Sequence, residues 1–307
     1  MKQDNIVMGI DIGGSHITTG LVNMDRKEVI AGSMMRERVD CHGTAEEILQ
    51  AWVNVIRATM NQYPGIAITR LGFAMPGPFD YKNGICLIKG FDKYEALYEW
   101  NIRAALAQRL QLQPSDICFR NDAEAFLEGE LFCGAATGYT QAIGITLGTG
   151  LGSAYTHLGI TADAEMSVLP YQGAIIEEAV STRGLIRNYK QLTGITVKDA
   201  KAIADVYETD NNAVKAFDQF AADLTWFLEQ FITRVSPDVL VIGGNIAQSW
   251  ELFMPKVTRS LETLVTRMPT IVQAALGEDA ALIGGACCFN QPNTTPNQKA
   301  KLKTLNS

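Results

Sequence analysis

The chain has no excess of basic residues: 26 Lys and Arg face 33 Asp and Glu, a formal charge of −7 over 307 residues. That balance excludes a surface built to meet nucleic-acid phosphates. No apolar run approaches the roughly 18 residues of a membrane span. The opening MKQDNIVMGI lacks a signal-peptide layout, because its short apolar stretch runs straight into Asp11. These lacks point to a cytoplasmic protein with no nucleic-acid or membrane partner. The six cysteines are scattered, with no C-x-x-C pair. They read as reduced thiols packed as small hydrophobes, and zinc held by cysteine is not expected. No G-x-x-x-x-G-K-[ST] occurs, which excludes a P-loop. The polar tail 291–307 reads as a mobile or loosely docked end.

What is present is a pattern that occurs twice. NIVMGIDIGG (5–14) reads as a buried strand entering a glycine turn. Two further strands follow over 16–23 and 28–38, then a helix over 44–62 with Ile48, Trp52, Val55, Ile56 and Met60 on one face. Thr44 and Glu47 suit a capping box at its start. A strand over 68–77 ends at Pro76-Gly77. The second half begins the same way: TQAIGITLGTG (140–150) enters a glycine turn, and 151–160 leaves it as a strand. A long amphipathic helix over 211–237, a strand over 238–245, a helix over 249–268, a strand over 270–276 and a helix rich in small residues over 281–290 complete it. Two related α/β lobes with a central cleft are the economical architecture.

Turns made of glycine let a backbone approach a ligand and aim successive N–H groups at it, an arrangement that binds phosphate oxygens. GTGLG (148–152) is not a dinucleotide fingerprint, because a strand follows it where that motif requires a helix. Two hairpin turns, Gly13-Gly14-Ser15 and Gly148-Thr149-Gly150, suit a polyphosphate gripped from both lobes. Asp11, beside the first, suits Mg²⁺. In NDAEAFLEGE (121–130), Asn121 offers a donor and an acceptor to sugar hydroxyls and Asp122 suits a general base. The same pair reads equally as a helix cap.

GIDIGGSHI (9–17), GFAMPGPFD (72–80), NDAEAFLEGE (121–130), GITLGTGLGSA (144–154), VLVIGGNI (239–246) and ALGEDAALIGGA (275–286) together resemble the ROK family of sugar kinases and repressors. The resemblance covers about residues 5–290. It implies two ribonuclease-H-like lobes of the actin-like ATPase kind. The boundaries expected are 1–121 with 290–307 for the small lobe and 122–289 for the large one, a discontinuous split in which the last helix, near 282–290, returns towards the first lobe as it does in relatives. It implies ATP-binding roles for Gly13, Gly14, Ser15, Gly148, Thr149, Gly150, Gly243 and Gly244, with Asp11 near Mg²⁺. It gives Asn121, Pro76 and Gly77 to the sugar and makes Asp122 the catalytic base. Repressor members carry a DNA-binding segment before the first strand. Here that strand starts near residue 5, which favours the kinase branch.

Departures from the family pattern are informative. Glu165 fits the glutamate of the family's GELGH block, but Val168 stands at its histidine. The cysteines of the zinc block are missing, while Glu177 fits its last glutamate. A variant without structural zinc is expected, with Glu165 and Glu177 facing the sugar. His157 lies on the preceding strand and reads as an ordinary surface or core residue. The expected reaction is transfer of the ATP γ-phosphoryl group to the 6-hydroxyl of a hexose, with glucose first and an N-acetylated glucosamine or mannosamine as the alternative. A non-catalytic sugar-binding regulator and an actin-like ATPase with a different acceptor are the rival readings. Family analogy also implies a homo-oligomer, a dimer.

Overall fold

The computed structural model describes residues 5–290. The tail expected to be mobile lies outside them. In chain order the elements are β1 (Ile6–Ile12), β2 (His16–Asn23), β3 (Glu28–Val29), β4 (Met35–Arg38), α1 (Ala45–Gln62), β5 (Leu71–Met75), β6 (Phe79–Asp80), β7 (Ile85–Cys86), α2 (Ile102–Leu110), β8 (Ile117–Asn121) and α3 (Asp122–Cys133). There follow β9 (Gln141–Leu147), β10 (Leu151–His157), β11 (Ile160–Asp163), β12 (Pro170–Tyr171), β13 (Ala174–Ile175), α4 (Thr182–Thr193), α5 (Ala200–Ala204), α6 (Asn211–Val235), β14 (Val239–Gly243), α7 (Trp250–Leu264), β15 (Thr270–Gln273) and α8 (Asp279–Ala286).

These form two compact units. One runs to Thr137 and resumes at Glu278; the other is Gly138–Gly277. The first has a sheet of order β3-β2-β1-β5-β8, with β4 also on β2. Strands β1 and β2 are antiparallel, whereas β5 and β8 run parallel to β1. The second sheet, β11-β10-β9-β14-β15, repeats that order: a meander of three strands, then two parallel to the first. The echo in the sequence is therefore a repeat of topology.

Alternation along β1 explains how the first sheet is covered. Met8, Ile10 and Ile12 face one core, with Trp52 and Ile56 of α1. Thr44 and Glu47 make the capping box that starts α1, Glu47 Oε2 accepting from Thr44 N at 2.8 Å; such a cap contributes about 1 kcal/mol. Gly9 lies on the other face, where a Cβ would overlap the carbonyl of Leu282 in α8. Likewise, Cβ atoms at Gly129 and Gly284 would overlap the backbones of Ala280 and Ala125. Helix α8 thus crosses both α3 and the sheet at backbone distance. Both helices belong to the first unit: α8 lies there as the expected return of the last helix would have it, while the division falls at 137/138 and 277/278 where 121/122 and 289/290 were expected. The single strand expected over 28–38 is two short ones, separated at Gly32, which has φ +76°. In the second unit, Phe217, Phe220, Leu224, Leu228 and Phe231 of α6 are buried against the other sheet.

Candidate active site

In the first unit three parallel strands bring their carboxyl ends together. The register pairs Asp11 with Ala74 and Met75 with Asn121. The ends of β1, β5 and β8 therefore carry Asp11, Pro76-Gly77 and Asn121-Asp122 to one edge of the sheet. The carboxyl edge of parallel strands is where α/β proteins place ligands.

Asn121 is the N-cap of α3. Its Oδ1 accepts from Ala123 N at 2.8 Å and Glu124 N at 3.2 Å. Its Nδ2 donates to the Tyr81 hydroxyl at 3.3 Å, which donates to Met75 O at 3.0 Å. The cap reading is thus realised, and Tyr81 links it to the strand end before Pro76. Asp122 is the first residue of α3 and is exposed. A carboxylate in the first turn is favoured by the helix dipole.

Asp11 faces away from the α1 core and is half-buried. Its pairing with Thr18, and Thr18's with Arg36, sets the three in a row across β1, β2 and β4. Burial raises the Asp11 carboxyl to about 7. The charges of Asp122 and Glu278 push the same way, and Arg36 opposes them. Arg36 is ion-paired with Glu278 at 2.8 Å.

The first glycine turn is closed by Gly13 N donating to His16 O at 2.9 Å. Tyr94, buried, donates its hydroxyl to Gly13 O at 2.6 Å and stacks edge-on against Trp52. A Cβ on Gly14 would meet nothing within 4 Å, and its φ is not left-handed. Neither packing nor conformation within this chain requires glycine there. The bareness leaves room for something outside the chain.

The second unit carries the matching hairpin. Gly148 N donates to Gly150 O at 3.0 Å, and Gly148 is as open as Gly14. This turn is braced from α4: Thr182 donates N–H and O–H to Gly148 O at 2.8 and 2.9 Å, and Arg183 Nη1 donates to Thr149 O at 2.7 Å. Glu177 sits on the turn. Its Oε2 accepts from Leu151 N at 3.0 Å, and its Oε1 accepts from Arg183 at 3.0 Å. The resemblance gave Glu177 to the sugar; here both its oxygens are already engaged inside the unit. Glu165 is exposed in the turn after β11, beyond the β12–β13 hairpin from Glu177. Gly243 ends β14, and Gly244 just after it, at φ +89°, packs on the backbone of Leu147. Its glycine is accounted for by the fold. His157 is partly exposed at the end of β10.

Sequence reasoning missed Tyr94, Arg183 and Arg36. Tyr94 lies in a stretch without periodicity, and the two arginines act through distant pairing. Nothing local marks any of the three.

Twice-repeated sheets of this order, each opening with a strand, glycine hairpin and returning strand, define the ribonuclease-H-like, actin-like ATPase fold. The chain belongs to the ROK family, which residues 7–162 and 155–291 match. It is similar to a glucokinase of Thermotoga maritima, 26% identical over 93% of this chain and 97% of that protein. It is also similar to an N-acetyl-D-glucosamine kinase of Pectobacterium carotovorum, 24% identical over 91% of this chain and 97% of that one. A crystal structure of a ROK family glucokinase from Streptomyces griseus, in complex with glucose and AMPPNP, superposes with a TM-score of 0.74 at 23% identity. It covers 92% of this chain and 98% of that one.

Proposed function

We propose that this chain is an ATP-dependent hexose kinase that transfers the γ-phosphoryl group of ATP to the 6-hydroxyl of a hexose. Glucose is the first choice and an N-acetylhexosamine the alternative, since relatives of both names match over nearly their whole length. The observation that carries the reading is the meeting of Asp11, Pro76-Gly77 and Asn121-Asp122 at the carboxyl edge of β1, β5 and β8, beside a glycine turn whose bareness the fold does not need.

Asp122 accepts the proton of the attacking hydroxyl and orients its oxygen for in-line attack. Asn121 fixes the start of α3, and so the place of Asp122, through its capping bonds; its remaining amide hydrogen is left for a sugar hydroxyl. Pro76-Gly77 lines the sugar, and Glu165 supplies a further carboxylate to it. In the turns Gly13-Gly14-Ser15 and Gly148-Thr149-Gly150, the N–H groups of Gly13 and Gly148 close the hairpins and those of Gly14, Ser15, Thr149 and Gly150 hold phosphate oxygens, with Gly243-Gly244 beside the nucleoside. Glu177, with Arg183, holds the second turn in shape. Phosphoryl transfer is chiefly positioning and electrostatic stabilisation, which is what such a set supplies.

The first unit fits a divalent cation by its own charges. Burial, with the charges of Asp122 and Glu278 beside it, raises the Asp11 carboxyl, and a cation there would favour its charged form. Asp11 would hold Mg²⁺ through water, and the ion would supply neutralisation of phosphate charge. No helix among the described residues is long and apolar enough to cross a membrane, in keeping with a cytoplasmic enzyme; a homo-oligomer is proposed by family analogy alone. A coupled assay of ADP release against hexoses and N-acetylhexosamines tests the reading. Release that requires one sugar class supports it, and release indifferent to every sugar overturns it.

A further inference from the structure

Three of the six cysteines, Cys118, Cys287 and Cys288, gather around the side chain of Arg120 where β8 and the end of α8 meet, and Cys133 of α3 lies beyond them near Cys287. Arg120 is 2% exposed. It is ion-paired with Glu128 at 3.2 Å and Glu124 at 3.7 Å. Even so, none of its three guanidinium nitrogens makes a hydrogen bond among the described residues. A buried guanidinium with spare donors is costly unless an anion takes them. Besides those two glutamates, the thiols of Cys118, Cys287 and Cys288 stand nearby.

We propose that Cys118 and Cys288 form an oxidisable dithiol, with a hydroperoxide as oxidant and a Cys118–Cys288 disulfide as product. Cys118 Sγ donates to the carbonyl of Cys288 at 3.9 Å. Cys118 Sγ thus lies against the residue that carries the second thiol, and the two thiols act on one another, although 170 residues separate them in sequence. Cys118 is partly exposed, so a small peroxide can reach it, whereas Cys288 is buried behind it. The Cys288 contact and the charges of Arg120 and Arg103 hold the Cys118 thiol down at about 7, against the ordinary 9.0. Burial moves the others the opposite way, pushing Cys287 up to about 12 and raising Cys86 and Cys133. Thiolate character and access decide which cysteine oxidises. Cys118 alone combines a lowered thiol with access, and its resolving partner is in place.

The chemistry balances without a metal. The Cys118 thiolate attacks the outer oxygen of R–O–O–H. The O–O bond breaks, and the departing alkoxide takes up the proton that Cys118 gave, leaving Cys118–SOH and ROH. Cys288 then loses its proton and attacks the Cys118 sulfur. An S–S bond forms, the S–O bond breaks, and hydroxide leaves as water with that proton. Two thiols lose two electrons and one hydroperoxide gains them. The spare donors of Arg120 suit the anionic sulfur of the first step. Nothing in this step depends on the kinase reading, although Cys118 lies on the strand that ends at Asn121.

Hydrogen peroxide on the full chain tests the proposal. Wild type is expected to lose two of its six thiols and to yield, on digestion without reductant, one crosslinked peptide joining 118 to 288. Cys288→Ser is expected to stop at a dimedone-trapped sulfenic acid on Cys118. Oxidation of Cys41, Cys86, Cys133 or Cys287 ahead of Cys118 would overturn the proposal. So would passage of wild-type Cys118 to sulfinic acid without a crosslink. A second readout needs no variant: the alkylation rate of Cys118 by iodoacetamide, followed against pH. A bend near 7, with about half the thiol ionised at neutral pH, supports the proposal, and a bend near 9 contradicts it.

Discussion

The two glycine hairpins stand on the same scaffold and are finished differently. Each follows the first strand of a sheet of the same order, and each has a glycine that its own unit does not need. The first, Gly13-Gly14-Ser15, has carboxylates behind it and a tyrosine holding its carbonyl. The second, Gly148-Thr149-Gly150, is braced by Thr182, Arg183 and Glu177, and a Cβ on Gly150 would run into the Glu177 carboxylate. The difference teaches that one repeated scaffold can be finished in two ways: under the proposed function both hairpins take phosphate, the proton chemistry falls to the first unit, and the second hairpin serves as a shaped grip.

The largest effect that would separate the halves is on the chemical step. Asp122→Asn is expected to lower kcat by on the order of 10²–10⁴, or about 3–5 kcal/mol of barrier, with sugar affinity less affected. Steady-state kinetics check this, and an unchanged kcat would return the chemistry to neither half. Next comes the contrast between glycines that the fold needs and those it does not. Gly284→Val drives a side chain into the Ala125 backbone and is expected to cost roughly 3 kcal/mol or more, seen as a fall in Tm. Gly14→Ala meets nothing. It is expected to leave Tm unchanged or to raise stability by up to about 1 kcal/mol, while raising the KM for ATP roughly tenfold. A fall in Tm for Gly14→Ala would show that the turn is bare for structural reasons after all.

Smaller effects sharpen the comparison. Asp11→Asn removes a carboxyl whose folded form holds its proton up to about 7. The proton is bound more tightly folded than unfolded, so that contribution is fully present below the ordinary carboxylate range. It is lost as pH rises through about 7. Asp11→Asn should therefore melt above wild type at pH 8, with the gain fading towards pH 4, as differential scanning calorimetry would show. Glu177→Gln keeps an acceptor for Leu151 N but loses the partly exposed pair with Arg183. It should raise the KM for ATP about two- to fivefold and leave kcat alone, since such pairs contribute up to about 1 kcal/mol.

Much of this was legible in the residues because the signals were local. The Thr44–Glu47 capping box, the face of α1 and the alternation of α6 need only their own neighbours in sequence. The repeated strand–turn–strand pattern is a matter of spacing, and it revealed the duplicated sheet. The return of the last helix to the first lobe was expected by resemblance, but the exact lobe boundary was not legible: the place of α3 is decided by Gly129 and Gly284 meeting backbones far along the chain. Small residues in a helix do not say what they lie against. Asn121 was ambiguous for a physical reason: one side chain can both cap a helix and face a ligand, and its capping bonds exist only in the folded chain. The thiol cluster around Arg120 was invisible because its members are spread from Cys118 to Cys288 with no spacing motif.

The central claim is that the carboxyl edge of β1, β5 and β8 phosphorylates a hexose at its 6-hydroxyl with Asp122 as base. The most direct measurement is incubation of the wild type and Asp122→Asn with ATP, Mg²⁺ and a panel of hexoses and N-acetylhexosamines, with ADP counted and the sugar product located by ³¹P NMR. The account predicts one ADP per sugar 6-phosphate for at least one member of the panel, and a rate at least about a hundredfold lower in the variant. ADP formed equally with and without sugar, or a variant as fast as the wild type, would contradict it.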